Sequence, residues 1–140
     1  MKKSILLLTF LTLSLLSCSS DDSTDSVDKS LLIGKWEIIS ISSNNETLNL
    51  SNCSTGTYKE YKTDNKYYEH YVCGTTNYLE TSEYSVSNNQ ITYVLDEPGL
   101  DEPIFRVNID ELTQNSLTTS FQYNENGLVY NNRTVFRKIN

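Results

Sequence analysis

Along most of the chain apolar and polar side chains alternate with a period of two, the pattern of strands with one dry and one wet face. β-Branched and aromatic residues fall in short runs separated by Asn, Asp, Gly and Ser, and no stretch past the N-terminal segment carries a helical period. The alternation predicts about eight strands, over 34–42, 57–63, 66–72, 79–86, 90–95, 104–112, 116–123 and 128–138, with a short helical turn at 28–31 leading into the first. Asp64-Asn65, Asn88-Asn89 and Gln114-Asn115 suit tight hairpins, because these residues tolerate positive φ. The connections 43–56, 73–78, 96–103 and 124–127 read as the longer set. In an up-and-down sheet alternate connections share an end, so the short and long loops segregate. That is the arrangement of an all-β, up-and-down antiparallel barrel, closed at its base and open at its mouth, which leaves no bare edge. Phe105, Val107 and Ile109 share one strand face and Leu117, Thr119, Phe121 and Tyr123 another, and both faces are expected to point inward.

The first residues break this pattern. Lys2 and Lys3 precede an apolar run from Ile5 to Leu16, too short for a lasting membrane span and typical of a signal peptide. Its ending, Leu15-Leu16-Ser17-Cys18, resembles the bacterial lipoprotein box, which implies a lipid on Cys18 and cleavage before it. The chain then divides into a signal peptide (1–17), a Ser-, Asp- and Thr-rich disordered tether (18–30) and one folded domain (31–140). Such a tether reaches roughly 20 Å from its anchor. Asp21-Asp22 resembles the export signal of surface lipoproteins in the Bacteroidota, and Asp22-Ser23-Thr24 and Asp25-Ser26-Val27 resemble the O-glycosylation sequence of that group; a plain solvated spacer is the alternative. Loss of seventeen of 140 residues removes two of eleven basic groups and none of the eighteen acidic ones, leaving a formal charge near −9. That field opposes nucleic acid and other polyanions. With Cys18 lipidated, Cys53 and Cys73 remain, and an exported protein is expected to pair them, stapling a lid that contains Leu48 and Leu50 to the rim.

The stretch Leu31 to Trp36 reads Leu-Leu-Ile-Gly-Lys-Trp, and its Gly-x-Trp at the start of the first strand resembles the lipocalin signature. A lipidated chain with a cysteine pair and a final Thr-Val-Phe-Arg-Lys strand is similar to the lipocalin-like domains of Bacteroidota lipoproteins, over 31–140. The resemblance implies a lipocalin-like barrel in which Gly34 and Trp36 close the narrow end and Arg137 lies across the indole ring. Asp110-Glu111-Leu112-Thr113-Gln114 departs from the second lipocalin motif.

Little in the sequence can be assembled into a catalyst. His70 is the single histidine, so no His cluster for zinc exists, and its strand alternates Tyr67, Glu69 and Tyr71 with Tyr68, His70 and Val72. Phosphate loops and nucleophile elbows are absent from the sequence. The expectation is a non-enzyme with neither cofactor nor metal; the four carboxylates of 96–103 read as a solvated loop, calcium being the alternative. Ten tyrosines are the distinctive feature of the folded part, and each offers an apolar face with a polar tip. Tyr58, Tyr71, Tyr93, Phe105, Phe121 and Tyr123 are the candidate ligand contacts. Glu46, Asp96, Glu97, Asp101, Glu102 and Glu125 fall in the mouth loops, while Lys35, Lys66, Arg137 and Lys138 fall towards the base, so a ligand is expected to be neutral or cationic, apolar or sugar-like. The leading expectation is a monomeric outer-membrane lipoprotein, surface exposure included, held by its lipid and binding a small molecule. The alternative is an envelope interaction or inhibitor module that presents acidic loops to a partner; an accessory lipoprotein without separable activity is the third.

Overall fold

Among the described residues nine strands follow a short helix, and eight of them close a barrel. The computed structural model describes residues 27–50, 56–94 and 104–140. Helix α1 (Lys29–Leu32) precedes β1 (Gly34–Ser43), β2 (Glu46–Thr47), β3 (Tyr58–Tyr61), β4 (Lys66–Cys73), β5 (Thr76–Ser87), β6 (Gln90–Val94), β7 (Ile104–Leu112), β8 (Ser116–Glu125) and β9 (Leu128–Ile139). From β3 to β9 each strand pairs antiparallel with the next, β1 pairs with β3, and β1 also pairs with β9 to close the cylinder. The two-residue β2 flanks the upper end of β1, opposite Ser42 and Ser43. Sequence alternation therefore anticipates every long strand.

The connections differ more. Asn88 and Asn89 adopt φ of 49° and 56°, as expected, and Asn65 adopts 65°. At Gln114-Asn115 no positive φ occurs; instead the Thr113 hydroxyl accepts from the Ser116 amide at 3.0 Å and shapes the turn. Two connections expected to be long are tight: β4 and β5 run on to a turn at Gly74 and Thr75, and β8 and β9 run on to Asn126-Gly127. The strand alternation ends there because both faces near the rim are wet, so polar residues such as Thr76 and Asn77 extend the ladder without showing a period. Strand direction puts these two turns, together with the Asn44-Asn45 turn, the start of β3, the end of β6 and the start of β7, at one end, and the turns 62–65, 88–89 and 113–115 at the other. The Cys53–Cys73 pairing falls outside the described residues, as do Cys18, tether residues 19–26 and Asp96, Glu97, Asp101 and Glu102; the last residues of the expected disordered tether, 27–30, are instead ordered as the cap and start of α1. Glu46 and Glu125 are exposed near the mouth.

The core sits at the base, around Leu32, Trp36, Tyr61, Tyr84, Ile91, Val107, Ile109, Leu117 and Phe136. Helix α1 stoppers this end. Asp28 caps it, accepting from the Ser30 amide at 2.9 Å, and hydrogen bonds from the Ser30 side chain and backbone hold its carboxyl below the ordinary carboxylate value. The Asn89 side chain accepts from the Val27 amide at 2.9 Å, and Lys29 bonds to the Asn65 side chain. Trp36 is fully buried and its indole N–H donates to the Leu32 carbonyl at 2.7 Å. It is Lys138, not Arg137, that lies across this ring, 5.0 Å from its centroid. The register explains the exchange: Trp36 faces Lys138 across the β1–β9 pair, whereas Arg137 faces Glu37 on the outer side and bonds its carboxylate at 2.7 Å.

Candidate functional site

Above the core the barrel opens into a cup with two lobes. The first, about 170 Å³, is bounded by Ile38 and Ile41 of β1, Tyr93, Phe105, Val107, Thr119, Phe121, Thr134 and Phe136, with Lys59 and Glu69 at its edge. The second, about 150 Å³, lies against β4 and β5 and is bounded by Lys59, Tyr67, Glu69, Glu80, Ser82, Tyr93 and Phe105. Lys59, Glu69, Tyr93 and Phe105 line both. Bulges shape this wall, since β1 shifts register between Ile38 and Ser40 and β7 between Ile109 and Glu111.

The floor of the cup is a tier of tyrosines. Tyr61 and Tyr67 have centroids 5.3 Å apart, Tyr61 and Tyr84 meet edge-on at 5.1 Å, and Tyr67 and Tyr93 lie at 4.9 Å. The Tyr61 and Tyr93 hydroxyls share a hydrogen bond of 2.5 Å, and Tyr84 donates to the Lys62 carbonyl at 2.9 Å. Burial raises the Tyr61 and Tyr93 hydroxyls well above the ordinary tyrosine value, and burial together with the Glu69 charge does the same to Tyr67. Tyr67 donates to the Glu69 carboxylate at 2.5 Å, and Lys59 Nζ lies 3.4 Å from the same oxygen. The lysine is also 5.4 Å from the Tyr67 centroid and 5.9 Å from that of Phe136, so an inward cation rests on two rings while its charge is matched by one carboxylate. Among the described residues no three His, Cys, Asp or Glu side chains gather as a metal site.

Of the six candidate contacts, Tyr93, Phe105 and Phe121 line the cup. Tyr71 and Tyr123 stand nearer the mouth. Tyr71 stacks on Tyr78 at 4.8 Å, and Tyr123 stacks between Phe121 at 6.0 Å and Tyr130 at 5.0 Å. Tyr58 is on the outer wall instead, stacked on His70 at 4.2 Å with Lys35 5.1 Å from its centroid. It lies three residues from the buried Tyr61, an odd spacing that puts the two on opposite faces. Lys59, Glu69 and Glu80 are the charged lining residues that sequence reasoning passed over, along with Ile38, Ile41, Tyr67 and Phe136. Period two gives the signal for them: if Tyr71 faces inward then so does Glu69, and the pairing of β4 with β3 and β5 carries Lys59 and Glu80 to the same side.

The model of a lipocalin-like domain matches residues 32–119. The chain belongs to this lipocalin-like family. The match ends inside β8, so the closing strand of the lipocalin-like barrel lies beyond it. Similar solved structures include the bovine lipocalin allergen Bos d 2, with 18% identity, 81% of this chain and 76% of that chain covered and a TM-score of 0.51. An odorant-binding protein from bovine nasal mucosa is 19% identical, covering 81% of this chain and 75% of that one, with a TM-score of 0.48. A dog lipocalin allergen is 16% identical, with 77% and 76% covered and a TM-score of 0.45. At such identities the likeness to Bos d 2 establishes the fold alone. No curated protein sequence matches the chain.

Proposed function

We propose that this lipocalin-like protein is a membrane-held, non-catalytic binder of one small, largely apolar ligand, neutral or cationic, in the open cup of its barrel. The observation that carries the reading is the apolar lobe of about 170 Å³, walled by Ile38, Ile41, Phe105 and Phe121 and reached from the open end. Small eight-stranded barrels of this kind have room for a single small ligand. The Leu-Leu-Ser-Cys sequence before the tether supports anchoring through Cys18, in the outer membrane. Titration with an apolar fluorophore that brightens on burial tests the binding. Phe121→Trp, which fills the lobe, is expected to weaken it at least about tenfold, while Leu128→Trp, at the exposed tip of the β8–β9 hairpin, leaves it unchanged. Equal binding by both variants would show adsorption to the surface and overturn the reading. The second reading, an envelope interaction module, is favoured by the exposed Leu128 and Val129 near this tip. It predicts no saturable uptake of the fluorophore by the unmodified protein.

A further inference from the structure

The second lobe carries an unbalanced charge. Glu69 and Glu80 stand directly opposite each other on β4 and β5 and both border the cavity. Like charges in this cross-strand position repel. Lys59 and the Tyr67 hydroxyl serve Glu69. Glu80 is exposed to solvent on the open side of the lobe and has neither an ion pair nor a hydrogen bond among the described residues, so the lobe is bordered by one cation and two carboxylates. On the next rung towards the mouth the Tyr78 hydroxyl is raised above its ordinary value, by desolvation first and then by the charge of Glu80. Aromatic rings flank the open lobe, with Tyr67, Tyr93 and Phe105 on its wall and the Tyr71–Tyr78 stack one rung above the carboxylates. A carboxylate beside π faces favours an organic cation over an anion, because both contacts are with negative charge density. The adjoining lobe, by contrast, is walled mainly by Ile38, Ile41, Val107, Phe121 and Phe136.

We infer that the cup is bipartite and selects a small amine, its ammonium seated between Glu80 and Glu69 in the β4–β5 lobe and its apolar body lying against Phe105 and Phe121. This rests on the reading of the cup as a ligand site and adds the chemical class of the ligand. Glu80 is the specificity-determining residue, for of the two carboxylates bordering this lobe it is the one without an ion pair or hydrogen bond among the described residues. Lys59 stays with Glu69 and makes the seat hostile to a second strong cation, so a monoamine fits better than a diamine.

Three probes of one skeleton test this: 2-phenylethylamine, 2-phenylethanol and 3-phenylpropionate, each titrated into the purified protein and followed by NMR. The amine is expected to bind about tenfold more tightly than the alcohol, a charge-assisted contact being about twice as strong as a neutral one, and the carboxylate is expected to bind most weakly. Glu80→Gln should erase the advantage of the amine while the alcohol binds as before. Glu111→Gln, an exposed carboxylate on β7, should preserve that advantage. Equal binding of amine and alcohol, or an amine preference that survives Glu80→Gln, overturns the inference and leaves the cup standing as a binding site. Failure of all three probes to bind removes both.

Discussion

A side chain at Gly34 would meet two obstacles. Its φ of 128° lies where L-residues are strained, and a Cβ there would sit 2.8 Å from Lys138 Cε. Gly34→Ala is therefore expected to destabilise the barrel by about 1–3 kcal/mol, mostly through the backbone, since the lysine can swing aside. Chemical denaturation checks it, and an unchanged midpoint would show that the strand can enter the base by another path. The Gly-x-Trp motif thus has a local cause: the glycine turns the chain out of α1 so that Trp36 falls inward over Leu32. That much could be read from the sequence. Which basic residue covers the indole could not, because Arg137 and Lys138 are adjacent and only the β1–β9 register decides between them.

Between residues and barrel lies the tyrosine tier, which spans β3 to β6. Burial keeps Tyr61, Tyr67 and Tyr93 protonated in the folded state well above the usual tyrosine value of about 10, whereas the unfolded chain ionises there. The unfolded state sheds these protons first, so stability is complete below about pH 10 and falls as the pH climbs beyond it. Urea midpoints are expected to stay level up to about pH 9 and then to drop, with a shallower fall in Tyr93→Phe. Tyrosinate absorbance should show these three ionising only as the fold is lost; simultaneous titration of every tyrosine with the fold intact would refute the account. Strand positions were legible where one face is buried with a clear period of two, as in β7. The tier and the charged wall were harder to see. Tyr, Lys and Glu are ordinary outer-face residues, and a strand such as Lys66-Tyr67-Tyr68-Glu69-His70-Tyr71 places an aromatic on each side, so hydrophobicity alone does not choose between them.

As a whole the molecule has two unlike ends. The closed base, where α1 enters, carries Lys35, Lys66, Arg137 and Lys138 beside Asp28, Glu37, Asp64 and Glu83, and the open mouth carries Glu46 and Glu125 with Arg133 nearby, so the difference between the ends is of shape rather than of charge. Because the chain ahead of α1 leads back to Cys18, a lipid there would hold the base towards the membrane and turn the cup away from it. No helix among the described residues is long and apolar enough to cross a membrane. Cys18→Ser is expected to move the protein into the soluble fraction, and membrane retention of that variant through a high-salt wash would sink the proposed anchor.

The pairing of β1 with β9, in which Lys35 meets Ile139 and Ser43 meets Asn132, also governs time. About a hundred residues separate these partners, and long-range pairing of this kind is slow, since the loop must be closed before any contact rewards it. During synthesis the first strand emerges long before its mate. Until β9 arrives, the nascent sheet has two open margins and no sealed interior. The cup is therefore the last part of the protein to exist: nothing can be bound, and no edge is safe from a neighbouring chain, before the final strand is delivered.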